Sequence, residues 1–220
     1  MTYKGVDMNR ISERFTVVDH PLVAHKMAHL RDEATKPAEF RQLVRELAAI
    51  ETYEALRDAR VEEVTVRTPL ADAPCTRIPA DSITVVPILR AGLGMLEGAL
   101  DMVPSALVGH VGMERDEETH EAHPYYAKLP SRIVDGTALL VDPMLATGGS
   151  AIAALKYLRD AGVRDVRFLV LVAAPEGVRA VLDADSDVRI WTCALDDGLN
   201  ENAYILPGLG DAGDRIFGTL

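Results

Sequence analysis

Apolar residues recur along this chain with two periods, and the change from one to the other divides it. Pro21 opens a short helical pattern running to Arg31, and Pro37 suits the first position of a longer helix carrying Phe40, Leu43, Val44 and Leu47 on one face. Short apolar runs follow. Val64–Val66 and Thr76–Ile78 predict a strand pair, and Ile83–Leu89 a buried strand with Pro87 near its end. Met95–Met102 reads as a helix, Ala106–Met113 as a strand, and the apolar run from Thr137 as another, ending at Asp142 because the residue before Pro143 is pushed toward extended backbone. Helix Ala151–Ala161 with Gly162 as its cap, strand Val166–Ala173, helix Pro175–Leu182 and strand Val188–Ala194 complete the pattern. Strand, helix and strand thus repeat, which predicts an α/β fold: a mostly parallel central sheet joined by right-handed crossovers and flanked by helices.

Composition narrows the setting. A chain of 220 residues with 48% hydrophobic content can bury one substantial core, and no linker divides it. The formal net charge of -11 argues against a surface dedicated to nucleic acid or to an anionic membrane. Cys75 and Cys193 form no metal-type cluster and predict two buried thiols. The absence of a long apolar segment predicts a cytoplasmic location, with neither a signal peptide nor a membrane span. The stretch Glu114–His123 is too charged for a core and predicts an exposed, flexible hairpin or loop, with His120 and His123 on a solvated face. His25 and His29, four apart, read as surface or packing residues, since no third metal ligand accompanies them. Residues 1–19 read as an arm.

Candidate chemistry concentrates where strands end. Asp142 leads through Pro143 into Thr147, Gly148, Gly149 and Ser150, which offer backbone N–H groups, hydroxyls and a helix start. Two readings fit: a phosphate cradle, or an ordinary strand–turn–helix connection with Ser150 as N-cap. Arg90, between a buried strand and Gly92-Leu-Gly94, could clamp a phosphate bidentately or simply end the strand in solvent. Gly98 falls one residue late for a dinucleotide fingerprint. Arg115, the lone cation opening the acidic stretch, could fold over an anion or balance local charge. The glycine-rich run Gly198–Asp214 has too many glycines for a continuous helix or strand; its backbone can approach a flat polar ligand, with Asp211 adding a carboxylate, or it is a glycine-rich tail lying over a sheet end.

Together, Pro87-Ile-Leu-Arg-Ala-Gly-Leu-Gly-Met95, Val141-Asp-Pro-Met-Leu-Ala-Thr-Gly-Gly-Ser150, Val172-Ala-Ala-Pro-Glu-Gly177, Gly198-Leu-Asn and Pro207-Gly-Leu-Gly-Asp-Ala-Gly-Asp214 through Phe217-Gly-Thr219 resemble the uracil phosphoribosyltransferases. The resemblance is colinear over residues 17–220 and leaves 1–16 as an N-terminal arm. Most phosphoribosyltransferases of this fold carry two adjacent acids before the phosphate loop; the single Asp142 is similar to the uracil branch. Glu114 departs from the uncharged residue frequent there in relatives.

The resemblance implies a phosphoribosyltransferase-like domain with a C-terminal base-binding hood, converting uracil and 5-phosphoribosyl 1-diphosphate (PRPP) to UMP and diphosphate in pyrimidine salvage. It assigns PRPP binding to Arg90, Arg115, Asp142, Pro143, Met144, Leu145, Ala146, Thr147, Gly148, Gly149, Ser150 and Asp211, with Asp142, Arg115 and Asp211 as the catalytic set. Uracil falls to Ile205, Gly210, Asp211 and Ala212. Magnesium (Mg2+) is implied through the substrate diphosphate, with Asp211 as a water-mediated contact and no direct protein ligand. A GTP effector and a homodimer or higher homo-oligomer are implied partners, and neither nucleic acid nor membrane is. A competing class is the RNA-binding attenuator of pyrimidine operons, which keeps a similar fold and requires a basic face.

Overall fold

The computed structural model describes residues 2–3, 6–7, 13–115 and 122–219, and side chains for 13–113 and 125–219. In chain order the first elements are strands β1 (Thr2–Tyr3), β2 (Val6–Asp7) and β3 (Phe15–Val17), then helices α1 (Pro21–Arg31) and α2 (Pro37–Ala55). An antiparallel ribbon, β4 (Glu62–Arg67) with β5 (Asp72–Arg77), precedes β6 (Ile83–Leu89), α3 (Leu93–Met102), β7 (Leu107–Val108), β8 (His110–Arg115) and β9 (Ala122–Lys128). A 3-10 turn, Ser131–Asp135, leads into β10 (Thr137–Val141), β11 (Met144–Leu145), α4 (Gly149–Asp160), β12 (Asp165–Ala173), α5 (Pro175–Ala184) and β13 (Arg189–Leu195). The chain closes with β14 (Gly198–Leu199), β15 (Ile205–Leu206) and α6 (Ala212–Phe217).

The main sheet runs β3-β13-β12-β10-β6-β8-β9. Every neighbouring pair along it is parallel except β8 with β9. Parallel strands need both faces covered, and alternate residues supply two cores. Val85, Leu139, Val141, Leu169 and Leu171 pack with Leu30, Phe40, Val44, Leu47 and Met95 of α1 to α3. Val86, Leu140, Phe168, Val170 and Ile190 pack with Leu155, Leu158, Val178 and Val181 of α4 and α5. Each such fully buried side chain stabilises the fold by roughly 1.5–3 kcal/mol before entropy is counted. Gly98, the misplaced glycine of the dinucleotide comparison, is a packing residue: a Cβ there would collide with the Arg45 carbonyl, so its absence lets α3 lie against α2.

Several expectations change. Phe15–Val17, inside the expected arm, pairs with β13 at the sheet edge, and Phe15 is buried. The strand expected over Ala106–Met113 breaks at Gly109 into β7 and β8. The ribbon register sets Val64 opposite Cys75, leaving Ile78 outside it. Cys75 is exposed rather than buried, because the ribbon pairs with no other sheet and both its faces meet solvent; Cys193 is buried as expected. The charged stretch lies at an antiparallel hairpin, β8 with β9, whose residues 116–121 lie outside the described residues, as do the side chains of Glu114, Arg115 and His123.

Candidate active site

Strands β6, β10, β12 and β13 end at one edge of the sheet, and the segments that leave them there hold the candidate residues other than Arg115, which closes β8. Parallel pairing places Val141 of β10 beside Pro87 of β6, so Asp142 and the Arg90 turn emerge next to each other. Gly92 fixes how closely they approach: a Cβ on it would lie 2.5 Å from the Val141 carbonyl oxygen. The hood comes against the same turn, since a Cβ on Gly213 would sit 4.0 Å from the Cβ of Ala91. The Arg90 guanidinium, itself exposed, lies 6.0 Å from the centroid of the Phe217 ring on α6. Three stretches far apart in sequence therefore meet.

The cradle itself is a small recess of about 90 Å³ lined by Asp142 and by Met144 through Ala151. Pro143 is buried beneath it, and its carbonyl accepts the N–H groups of Leu171 and Val172, which ties the turn to β12. Gly148 caps α4 with φ 88°, a left-handed conformation that favours glycine, so the cap is Gly148 and not Ser150. The first-turn N–H groups of a helix have no intrahelical acceptor, and with the helix dipole they favour an anion. Beneath the turn, Gly177 of α5 allows the close packing: a Cβ there would strike the carbonyl of Ala146. A larger groove is lined by Glu63–Thr65 and Pro74–Thr76 of the ribbon and carries none of this chemistry.

Asp142 is half-buried, yet loss of hydration lifts its carboxyl from 3.8 to about 7, only partly opposed by the Met144 N–H that it accepts. Such a carboxyl is poised to ionise when positive charge arrives. Asp211 caps α6, its Oδ1 accepting the Asp214 N–H at 2.9 Å. Ile205 is buried in the core beneath the hood and Ala212 is buried beside it, while Gly210 is exposed with φ 79°. Arg115 closes β8 by its backbone, and its side chain lies outside those described. No group of three His, Cys, Asp or Glu among the described residues could hold a metal directly, and His25 and His29 meet edge-on, ring centroids 4.8 Å apart.

Sequence reasoning missed the supports of the hood. Asp196, 5% exposed, follows β13 and takes a bidentate ion pair from Arg31 at the end of α1. Arg215 of α6 donates to the carbonyls of Leu30, Asp32 and Leu209 while stacking 4.3 Å from the Phe40 ring centroid. Partners this far apart in sequence leave no local signal.

Comparison with known proteins agrees with this geometry. The family profile for uracil phosphoribosyltransferase matches residues 17–219. The uracil phosphoribosyltransferase of Symbiobacterium thermophilum is 52% identical over 206 residues, covering 94% of this chain and 99% of its own. That of Ligilactobacillus salivarius is 50% identical with the same coverage, 94% and 99%. A solved protein of Aquifex aeolicus superposes with TM-score 0.88 at 40% identity, over 92% of this chain and 97% of that one. A hypoxanthine-guanine phosphoribosyltransferase of Bacillus anthracis shares the fold alone, with TM-score 0.51 at 10% identity over 73% of this chain and 80% of that one. The chain belongs to the uracil phosphoribosyltransferase family.

Proposed function

We propose that this chain joins uracil to PRPP, giving UMP and diphosphate, at the sheet edge just described. One observation carries the reading: a phosphate-sized cradle with a single poised carboxyl, an arginine turn and a backbone-rich hood adjoin at the ends of the parallel strands. The turn from Ala146 to Ser150 holds the 5′-phosphate, with Pro143, Met144 and Leu145 as the floor that sets its height. Asp142 receives the ribose hydroxyls. Arg90 and Arg115 hold the diphosphate, and Asp211 contacts the sugar diphosphate. Uracil lies against Ile205 and the backbone of Gly210, Asp211 and Ala212; its two carbonyls and N3–H suit fixed donors and acceptors, and cytosine would leave one of them unpaired.

The bond from C1′ to diphosphate breaks as N1 of uracil bonds to C1′ and loses its proton. Positive charge gathers on the sugar between, and a desolvated carboxylate at Asp142 stabilises it more than one in water would. Oxygen donors such as the Asp211 carboxylate match what magnesium prefers, and a magnesium ion carried on the diphosphate would neutralise leaving-group charge. No covalent nucleophile is needed; positioning and charge supply the rate. Closure of the hairpin that carries Arg115 would exclude water from the sugar. A homodimer or larger assembly, a GTP effector and a cytoplasmic location belong to the same reading through the family likeness. No helix among the described residues is long and apolar enough to cross a membrane.

The test offers uracil, cytosine, hypoxanthine and orotate separately with PRPP and magnesium and measures nucleotide formed. UMP from uracil, with little product from the others, is the expected result. Turnover of another base without UMP would overturn the assignment.

A further inference from the structure

The backbone groups that would read uracil lie on a loop that is irregular and rich in glycine, so something behind it must fix its position. Gly208, φ 63°, has both of its backbone groups engaged on the side of the core. Its N–H donates to Asp196 Oδ2 at 2.8 Å, and its carbonyl accepts from Arg31 Nη1 at 2.6 Å. The same arginine grips both oxygens of Asp196, at 2.8 Å and 2.5 Å. Asp196 is fixed in turn to the sheet, its own N–H donating 2.9 Å to the carbonyl of Ala173 at the end of β12. One residue further along, the Leu209 carbonyl accepts from Arg215 at 2.9 Å, and that guanidinium also holds the Leu30 carbonyl at 2.8 Å and the Asp32 carbonyl at 2.5 Å. The end of α1 and its C-cap are thus a platform, with Leu30, Arg31 and the cap residue Asp32 each contributing one contact toward the hood.

We infer that Arg31 and Asp196 are positioning residues for base recognition: they set the height and orientation of the 208–212 loop, and through it the affinity and selectivity for the pyrimidine. This rests on the uracil reading above. The pair sits behind Gly208, with its side chains 24% and 5% exposed, and its hydrogen bonds use groups that precede Gly210–Ala212 rather than those offered to the base. The cradle has a separate support, Gly177 of α5, so loosening the hood should leave the sugar-phosphate end unchanged. A planar, bidentate guanidinium suits the task, because one side chain holds a carboxylate and a carbonyl at once and a lysine cannot reproduce that fork.

The experiment measures initial rates of UMP formation by the full chain while uracil and PRPP are varied independently. In Arg31→Ala the KM for uracil is expected to rise about ten-fold or more, since small misplacements of a binding group cost that much, with the KM for PRPP within about two-fold of wild type. The ratio of cytosine to uracil kcat/KM should rise in the same variant. Asp196→Asn, which keeps the shape and one acceptor, should shift the uracil KM in the same direction by less. Arg45→Ala, which breaks the exposed pair with Asp101, is the control and should change neither KM. Should Arg31→Ala fail to fold by circular dichroism, Asp196→Asn and Arg31→Lys decide alone. Folded variants with unchanged uracil KM, or with both KM values rising together, would overturn the inference. A wild-type protein that forms no UMP would instead overturn the underlying reading and take this inference with it.

Discussion

Asp142 bears the sharpest prediction at the scale of one residue. Its folded-state carboxyl titrates at about 7 against an ordinary 3.8, so the folded protein holds this proton more tightly than the unfolded chain does. The group's contribution is therefore fully present below 3.8, is lost as pH rises toward about 7, and is flat beyond. Asp142→Asn, permanently neutral, escapes that loss. Relative to wild type the substrate-free variant should gain about 1–3 kcal/mol between pH 5 and pH 8, below the ceiling of roughly 4 kcal/mol that the full shift allows. Urea unfolding of both proteins at the two pH values measures it, and a pH-independent difference would contradict the proposed titration. This residue was legible in sequence because Pro143 marks where its strand must end. Glu51 was not: it continues the helical phase of Phe40, Val44 and Leu47, so geometry buries it completely and desolvation drives its carboxyl well upward beside the Cys193 thiol. Charge alone would have placed it in solvent.

At the scale of elements, the contact between α5 and the turn from Ala146 to Ser150 sets how closely the recess is packed. Val172–Gly177 entered the family resemblance without a role, and the structure supplies one: the turn packs onto α5 at Gly177, whose carbonyl would lie 3.2 Å from a Cβ on Gly148. Gly177→Ala forces helix and turn apart. The expected result is a loss of about 1–3 kcal/mol in stability from overpacking and a rise of about ten-fold in the KM for PRPP, with the uracil KM little changed. This is the converse of the pattern expected at Arg31. Thermal unfolding and two-substrate kinetics check it, and an unaltered PRPP KM would show that the turn tolerates the displacement. Helices beginning at Pro21, Pro37 and Pro175 could be read from sequence because proline suits a first turn, and the observed helices start at those residues. Strand Phe15–Val17 could not, since its place comes from pairing with β13, a partner far along the chain.

For the whole molecule, the order of the sheet explains why one edge carries all the candidate chemistry, and charge decides between the enzyme and an RNA-binding relative. Alternating strand and helix predicted the parallel core, but not its order: sequence cannot say that β6 lies between β10 and β8 while β3 closes the far edge. The chain carries -11, and several of its described arginines are paired with acids: Arg45 with Asp101, Arg67 with Asp72, Arg77 with Glu62, Arg132 with Asp81 and Arg159 with Asp185. An arginine already paired must give up its partner to meet a phosphate, and the surrounding negative field opposes an approaching polyanion. A protein that contacts six to ten phosphates changes its affinity by about 10³–10⁵ between low and moderate salt. Filter binding of the purified chain to a pyrimidine-rich RNA, titrated from low to physiological salt, is therefore expected to show no tight complex and no such slope. Tight retention with steep salt dependence would restore the RNA-binding reading and require a basic face assembled between copies of the chain.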